Sequence, residues 1–219
     1  MIERLLPPAV AVVEAHADLP GEQVFPGEEE LVARAVESRR REVVTARRCA
    51  REALATFGYA PAPIPRGTRG APQWPAGVVG SITHCTGYRA AAVAPASELA
   101  SLGIDAEPHG PLPPDVPEAV TTGDELAMLD DLSNENPSVH WDRVLFSAKE
   151  SVYKAWFPLT GRWLGFEDAE LRFDPAAGTF QAKILIDGAR TDEGPPLAEL
   201  TGRFLVAQGL VATAVTVMS

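Results

Sequence analysis

The sequence predicts an α+β protein made of two similar halves, and three observations point to it. Two hairpin-like stretches, Val78–Ala94 and Thr201–Val217, lie far apart in the chain, each beside helical segments. Formal charge divides the same way. Residues 1–104 hold 11 basic and 11 acidic side chains, residues 105–219 hold 8 and 19, so the second part carries the whole net charge of −11. With 219 residues, 46% of them hydrophobic, the chain can bury one large core or two smaller ones.

Residues 8–15 read as a first strand and Asp18–Gly27 as a loop. Glu28–Ser38 reads as a helix, with three glutamates in the first turn, where the helix dipole favours negative charge. A second helix, Arg39–Phe57, stops at Gly58 and presents Val43, Ala46, Ala50, Leu54 and Phe57 as an apolar face. Arg39 and Arg47 project onto or beside that face. They are either long side chains reaching past the core edge or part of an anion site, which guanidinium geometry suits. A Pro/Gly-rich loop, Ala60–Pro75, carries Arg66 and Arg69. The strands Val78–Cys85 and Tyr88–Ala94 follow, and His84 ends the first. Extended backbone over Leu102–Pro108 places Asp105 and Glu107 on one face, where two carboxylates repel unless solvated or sharing a cation. Such hard oxygens suit Mg²⁺. Proline-rich His109–Pro117 is the expected linker between halves; a helix over Thr122–Leu132 and a polar loop over Ser133–Ser138 come next.

The segment Phe146–Phe157 has helical periodicity and is followed by Pro158, the expected stop. Phe146, Glu150, Tyr153, Lys154 and Phe157 fall on one face. Glu150 and Lys154 could form an ordinary exposed i,i+4 pair, but among aromatic neighbours a charge must be paired or put to use. Strands are expected at Ala169–Phe173, Thr179–Ile186, Thr201–Gln208 and Leu210–Val217.

Several classes drop out. An acidic balance argues against a nucleic-acid binder. No apolar run is long enough for a membrane span, and no signal peptide is recognisable, so the cytoplasm is the expected compartment. Cys49 and Cys85 lack metal-site spacing and read as free thiols. Walker A, Rossmann, paired CxxC and nucleophile-elbow patterns are missing.

Gly103-Ile-Asp-Ala-Glu107 followed by Phe146-Ser-Ala-Lys-Glu-Ser-Val-Tyr-Lys154 resembles the signature of the Sfp-type 4′-phosphopantetheinyl transferases. Pro65-Arg-Gly, Trp74-Pro, Gly80-Ser-Ile-Thr-His-Cys85, Trp141-Asp-Arg and Lys154-Ala-Trp-Phe-Pro-Leu-Thr160 resemble their actinobacterial PptT/EntD-like branch, so nearly the whole chain is covered. The resemblance implies two α+β halves related by a pseudo-twofold: residues 1–104 for the phosphates and adenine of coenzyme A, residues 105–219 for metal binding and catalysis. It implies a Mg²⁺ site, or Mn²⁺ in its place, at Asp105, Glu107 and Glu150. Coenzyme contacts are implied for Arg39, Arg47, Arg66, Thr83, His84 and Lys154, with Tyr153 and Trp163 walling the pantetheine channel. Asp105, Glu150 and Lys154 are the implied catalytic residues. The partners implied are coenzyme A and apo acyl or peptidyl carrier proteins, without nucleic acid or membrane, and a monomer is the default. Because carriers of this kind are acidic, docking calls for a local basic or apolar patch, part of it expected on the Arg39–Arg51 helix. Ala106 and Arg66 depart from common family residues, which leaves one coordination position to water and changes the geometry of one cation. Two other readings stand beside this one: a Mg²⁺-dependent pyrophosphatase cleaving coenzyme A or nucleotides, and a noncatalytic coenzyme A or carrier-protein binding module.

Overall fold

Ala90, Ala92 and Ala94 on one face of a single strand, and Ala91 and Val93 on the other, are all fully buried. Side chains this small let two layers close on the strand from opposite sides, and the fold is built around that. A computed structural model describes all 219 residues. The strand is β3 (Tyr88–Pro95), which pairs antiparallel with β1 (Ala11–Ala15) and β2 (Val78–Cys85) in a three-stranded sheet ordered β1-β3-β2. A five-stranded antiparallel sheet runs β4 (Leu99–Pro108), β8 (Leu210–Met218), β7 (Glu199–Ala207), β6 (Thr179–Ile184) and β5 (Ala169–Asp174). Leu102, Ile104 and Ala106 of β4 and Leu210, Ala212 and Ala214 of β8 meet the alanines of β3 in a layer between the sheets. Helix α1 (Glu37–Ala55) packs Cys49, Ala50, Ala53 and Leu54 on the other face of the first sheet. Helix α4 (Trp141–Thr160) covers the other face of the second through Val144, Leu145, Ala148, Val152 and Trp156. The order α1, sheet, sheet, α4 is the pair of α+β halves expected, with three strands in one and five in the other. Two smaller helices, α2 (Val116–Val120) and α3 (Glu125–Glu135), complete the second half. No helix is long and apolar enough to cross a membrane.

The sheets meet at their edge strands without a backbone ladder. Ser81 and Thr83, on one face of β2, accept hydrogen bonds from the Ile104 and Ala106 amides of β4 at 3.1 and 3.0 Å. Hydroxyls at period two replace carbonyls, so the edge is satisfied while β2 angles away and leaves a cleft.

Several local expectations need correction. No helix forms over Glu28–Ser38; a 3₁₀ turn at Glu29–Leu31 stands there, and α1 begins at Glu37. Glu28 does not cap a helix because its carboxylate is drawn inside, 2% exposed, where Arg51 Nη1 and the Ile64 amide donate to it at 2.7 and 2.8 Å. Phe57 lies outside the core, partly exposed beyond the end of α1. Helix α4 starts five residues before Phe146 and runs through Pro158 to Thr160, ending at Gly161 in the left-handed region (φ 65°). A proline in the last turn forfeits only one helical bond. His109–Pro117 is not the linker between halves, because β4 pairs with β8 along its whole length and belongs to the second sheet. The chain crosses between sheets at residues 96–98, and the boundary expected at 104/105 falls inside β4.

Candidate active site

Ser101, Gly103, Asp105 and Glu107 share the face of β4 that meets α4, because side chains alternate along a strand. Helix and strand approach unusually closely. A Cβ on Gly103 would sit 2.0 Å from the Ser151 carbonyl oxygen and 2.7 Å from the Ala155 amide nitrogen, and only glycine fits. Ser101 Oγ donates to the Ala155 carbonyl at 2.8 Å one step away. This contact brings the polar stripe of α4 over the carboxylates of β4.

Asp105 is 4% exposed and accepts three hydrogen bonds. Lys154 Nζ donates to Oδ1 at 2.7 Å and Thr83 Oγ1 to the same oxygen at 3.3 Å; Ser147 Oγ donates to Oδ2 at 2.8 Å. Lys154 also donates to the Ile104 carbonyl at 3.1 Å, which fixes its ammonium at the strand edge. Glu107 pairs with Arg143 Nη1 at 3.1 Å, and Arg143 is anchored by the Gly110 and Pro111 carbonyls. Burial raises the pKa of Glu107, the Asp105 charge raises it further, and Arg143 opposes both. Burial also raises the pKa of Glu150; Lys154 offsets part of the shift and Asp105 adds to it, with no hydrogen bond to relieve it. Asp105 therefore acts on both other acids, yet no three acidic or histidine side chains are grouped closely enough to enclose a metal ion by themselves. The donor set fits Mg²⁺ in an open manner: hard carboxylate oxygens, Glu150 free of any partner, and remaining positions left to water and a ligand phosphate.

Beyond Glu150 a cleft of about 750 Å³ opens between the halves. Arg39, Val43 and Arg47 of α1 line one wall, the loop from Arg66 to Trp74 and the outward face of β2 a second, and Glu150, Tyr153, Lys154 and Phe157 of α4 the third. A Cβ on Gly80 would lie 2.7 Å from the Trp74 ring, so glycine here lets the loop fold onto β2, where Trp74 Nε1 donates to the Gly80 carbonyl at 2.9 Å. Arg47 is nearly buried and donates from Nε to the Ile64 carbonyl at 3.0 Å. Burial lowers its pKa, Glu28 counteracts this, and Arg51 and Arg66 deepen it. These cations crowd one another without enough carboxylates to balance them, and a polyanion would relieve that.

Among the residues singled out by sequence, Arg39, Arg47, Arg66, His84, Glu150, Tyr153 and Lys154 line the cleft. Trp163 stands at its rim, 56% exposed, with its ring 5.0 Å from that of Tyr153 and the Arg69 guanidinium 5.3 Å above it. The side chain of Thr83, expected at the coenzyme, turns to the opposite side of β2 and serves Asp105. Asp105 and Glu107 lie behind Lys154 and Arg143. Sequence reasoning missed Ser147 and Arg143, although helical spacing from Lys154 back through Glu150, Ser147 and Arg143 traces one stripe. It also missed the fate of Lys149, which is buried and pairs with Glu125 of α3 at 2.7 Å, away from the cleft. The arginine helix is less free to dock a partner than expected: Arg48 is taken by Glu22 and Glu52, both at 2.9 Å, and Arg51 by Glu28.

Fold and cleft together define a class: a two-halved α+β protein with an arginine-lined, acid-floored cleft between the halves, suited to a phosphorylated ligand. Residues 27–94 match the family model described as the 4′-phosphopantetheinyl transferase N-terminal domain, and residues 101–196 match that of the 4′-phosphopantetheinyl transferase superfamily. The chain is 52% identical to the 4′-phosphopantetheinyl transferase Svp of Streptomyces mobaraensis, over 99% of this chain and 89% of that one. It is 49% identical to PptT of Mycobacterium tuberculosis over 98% and 97% of the two chains, and 47% identical to Npt of Nocardia iowensis over 98% and 99%. The chain belongs to the 4′-phosphopantetheinyl transferase family.

Proposed function

We propose that this protein transfers the 4′-phosphopantetheine arm of coenzyme A to a serine of an apo acyl or peptidyl carrier protein, releasing 3′,5′-adenosine bisphosphate. The observation that carries this reading is Lys154, whose ammonium lines the cleft and is held by Asp105 beside the partnerless carboxylate of Glu150. Arg39, Arg47, Arg66 and His84 bind the phosphates of the coenzyme, and Tyr153 and Trp163 flank the pantetheine where it leaves the cleft. Asp105, Glu107 and Glu150 would hold Mg²⁺ or Mn²⁺, which when bound supplies positive charge to the diphosphate oxygens. Lys154 donates to a phosphoryl oxygen as charge builds on it. Thr83 and Ser147 hold Asp105 so that Lys154 stays in place. The carrier serine Oγ bonds to the phosphorus that bears the pantetheine arm, and the bond from that phosphorus to the bridging oxygen breaks. Glu150 takes the serine proton, directly or through one water. The leaving adenosine bisphosphate keeps the bridging oxygen and stays bound by the arginines until it dissociates.

Incubation with coenzyme A, Mg²⁺ and an apo carrier protein, followed by intact mass measurement, tests this reading. The expected result is a carrier heavier by one phosphopantetheinyl group per accepting serine. An unmodified carrier, or coenzyme A cleaved equally well without any carrier, overturns it.

A further inference from the structure

A carboxylate stands where an anion-binding pocket would not be expected to hold one. Glu42 of α1 faces three nitrogen groups, two of them on Arg39 and His84, which line the cleft. Its Oε2 lies 3.3 Å from Arg39 Nη1 and 3.3 Å from His84 Nδ1, and its Oε1 lies 3.8 Å from Arg89 Nη2. Arg39 Nη1 is at the same time 2.8 Å from His84 Nδ1. Guanidinium nitrogens only donate, so Nδ1 must accept, and the one ring proton of His84 sits on Nε2. The Arg39 hydrogens stand between Nδ1 and the Glu42 carboxylate, which would otherwise face each other lone pair to lone pair.

These partners are not equally committed. Arg89 is nearly buried and gripped by Asp18 through two bonds of 2.9 and 3.0 Å, with a third to the Cys85 carbonyl. Arg39 is half exposed at the cleft wall, and its side chain bonds only to Glu42 and His84. It is the group that an incoming phosphate can draw away. Once it turns, Nδ1 faces Glu42 with nothing between them, a contact that holds only if the nitrogen carries a proton.

We propose that Glu42 is an internal counter-ion which the ligand phosphate displaces from Arg39, and that it then becomes the partner of His84, so that coenzyme binding loads a proton from solvent onto His84 Nδ1. The imidazolium formed lies between Glu42 and the bound phosphate, while Arg39 serves the phosphate. The groups facing His84 are Arg39, Glu42 and Arg47 from α1, Arg89 from β3 and Lys154 from α4. In the free protein, burial and then Arg39, Lys154, Arg89 and Arg47 press the pKa of His84 down to about 3, so the ring is neutral. A phosphate dianion balances those same cations and reverses their effect. Glu42 is thus a positioning residue that acts through Arg39 and His84, and the inference rests on the reading that coenzyme A fills this cleft.

NMR of the full chain labelled with ¹⁵N-histidine tests it, with His84→Gln identifying the His84 signals among the four histidines. At pH 7 the expected result is an unprotonated Nδ1 in the free protein and both ring nitrogens protonated with saturating coenzyme A. In Glu42→Gln the ring is expected to stay neutral in both states, because an amide cannot balance an imidazolium. A ring still neutral in the coenzyme complex of the unsubstituted protein overturns the inference by itself, whatever the variant does, as does a protonated ring in the Glu42→Gln complex. Either result leaves coenzyme binding in the cleft intact. Coenzyme A that shifts no cleft signal overturns the placement of the coenzyme, and this inference with it.

Discussion

Glu150→Gln is expected to keep the fold and coenzyme binding while losing about 10²–10⁴-fold in turnover, the usual worth of a positioned general base. The amide has the shape of the carboxylate but neither its charge nor its basicity. In the native protein that carboxylate is held at a cost, since burial raises its pKa and no hydrogen bond compensates. A group stored in that state and facing a cleft is the kind of perturbed side chain that active sites use. The variant should therefore be no less stable than the native protein, and thermal melting beside steady-state kinetics separates the two effects. Acidity gives the same test without mutation. Glu150 must be ionised to accept a proton, so kcat/KM should fall on acidification as Glu150 protonates, and that part of the acid limb should vanish in Glu150→Gln. Near-normal rates in the variant would remove Glu150 from the role of base.

Gly103→Ala should fail for a different reason. A single methyl here would collide with the Ser151 carbonyl and the Ala155 amide of α4, both backbone atoms that no rotamer change can move. Ordinary overpacking costs about 1–3 kcal/mol because side chains yield. Here the whole helix must lift from β4, breaking the bond from Ser101 to Ala155 and separating Lys154 and Ser147 from Asp105. A loss of about 3 kcal/mol or more is expected, which lowers Tm by about 6–12 °C in a chain of this size. Residual activity should fall further than the unfolded fraction accounts for, because the same lift pulls Lys154 away from Asp105. Urea or thermal unfolding measures the first effect and activity per folded molecule the second. A variant with native stability would mean that α4 and β4 are not in this contact.

How much of this was legible before the structure depended on the range of the interaction. The stripe of Glu150, Tyr153, Lys154 and Phe157 and the alternation of Asp105 and Glu107 are consequences of helix and strand period, and both sets lie where that arithmetic places them. Lining of the cleft by Arg39 and Arg47 also follows from helical spacing, once α1 lies against β2. What spacing could not show was which side chain from elsewhere completes each group. Glu28 reads as a helix-starting acid until Arg51 and the Ile64 amide, 23 and 36 residues away, draw it inward. Thr83 reads as a ligand contact until β2 is seen edge to edge with β4, which turns its hydroxyl to Asp105. The proline-rich run after Glu107 reads as a hinge because proline marks chain breaks, whereas the actual crossing is a three-residue turn after a single proline, Pro95. Pairing between distant strands decides that, and periodicity carries no information about it.

The most direct measurement is a crystal structure of the protein with coenzyme A and Mg²⁺. The expected result is the diphosphate in the cleft within hydrogen-bond reach of Lys154, with the metal held by Asp105, Glu107 and Glu150. A metal bound elsewhere, or a diphosphate out of reach of Lys154, would contradict the assignment of these four residues.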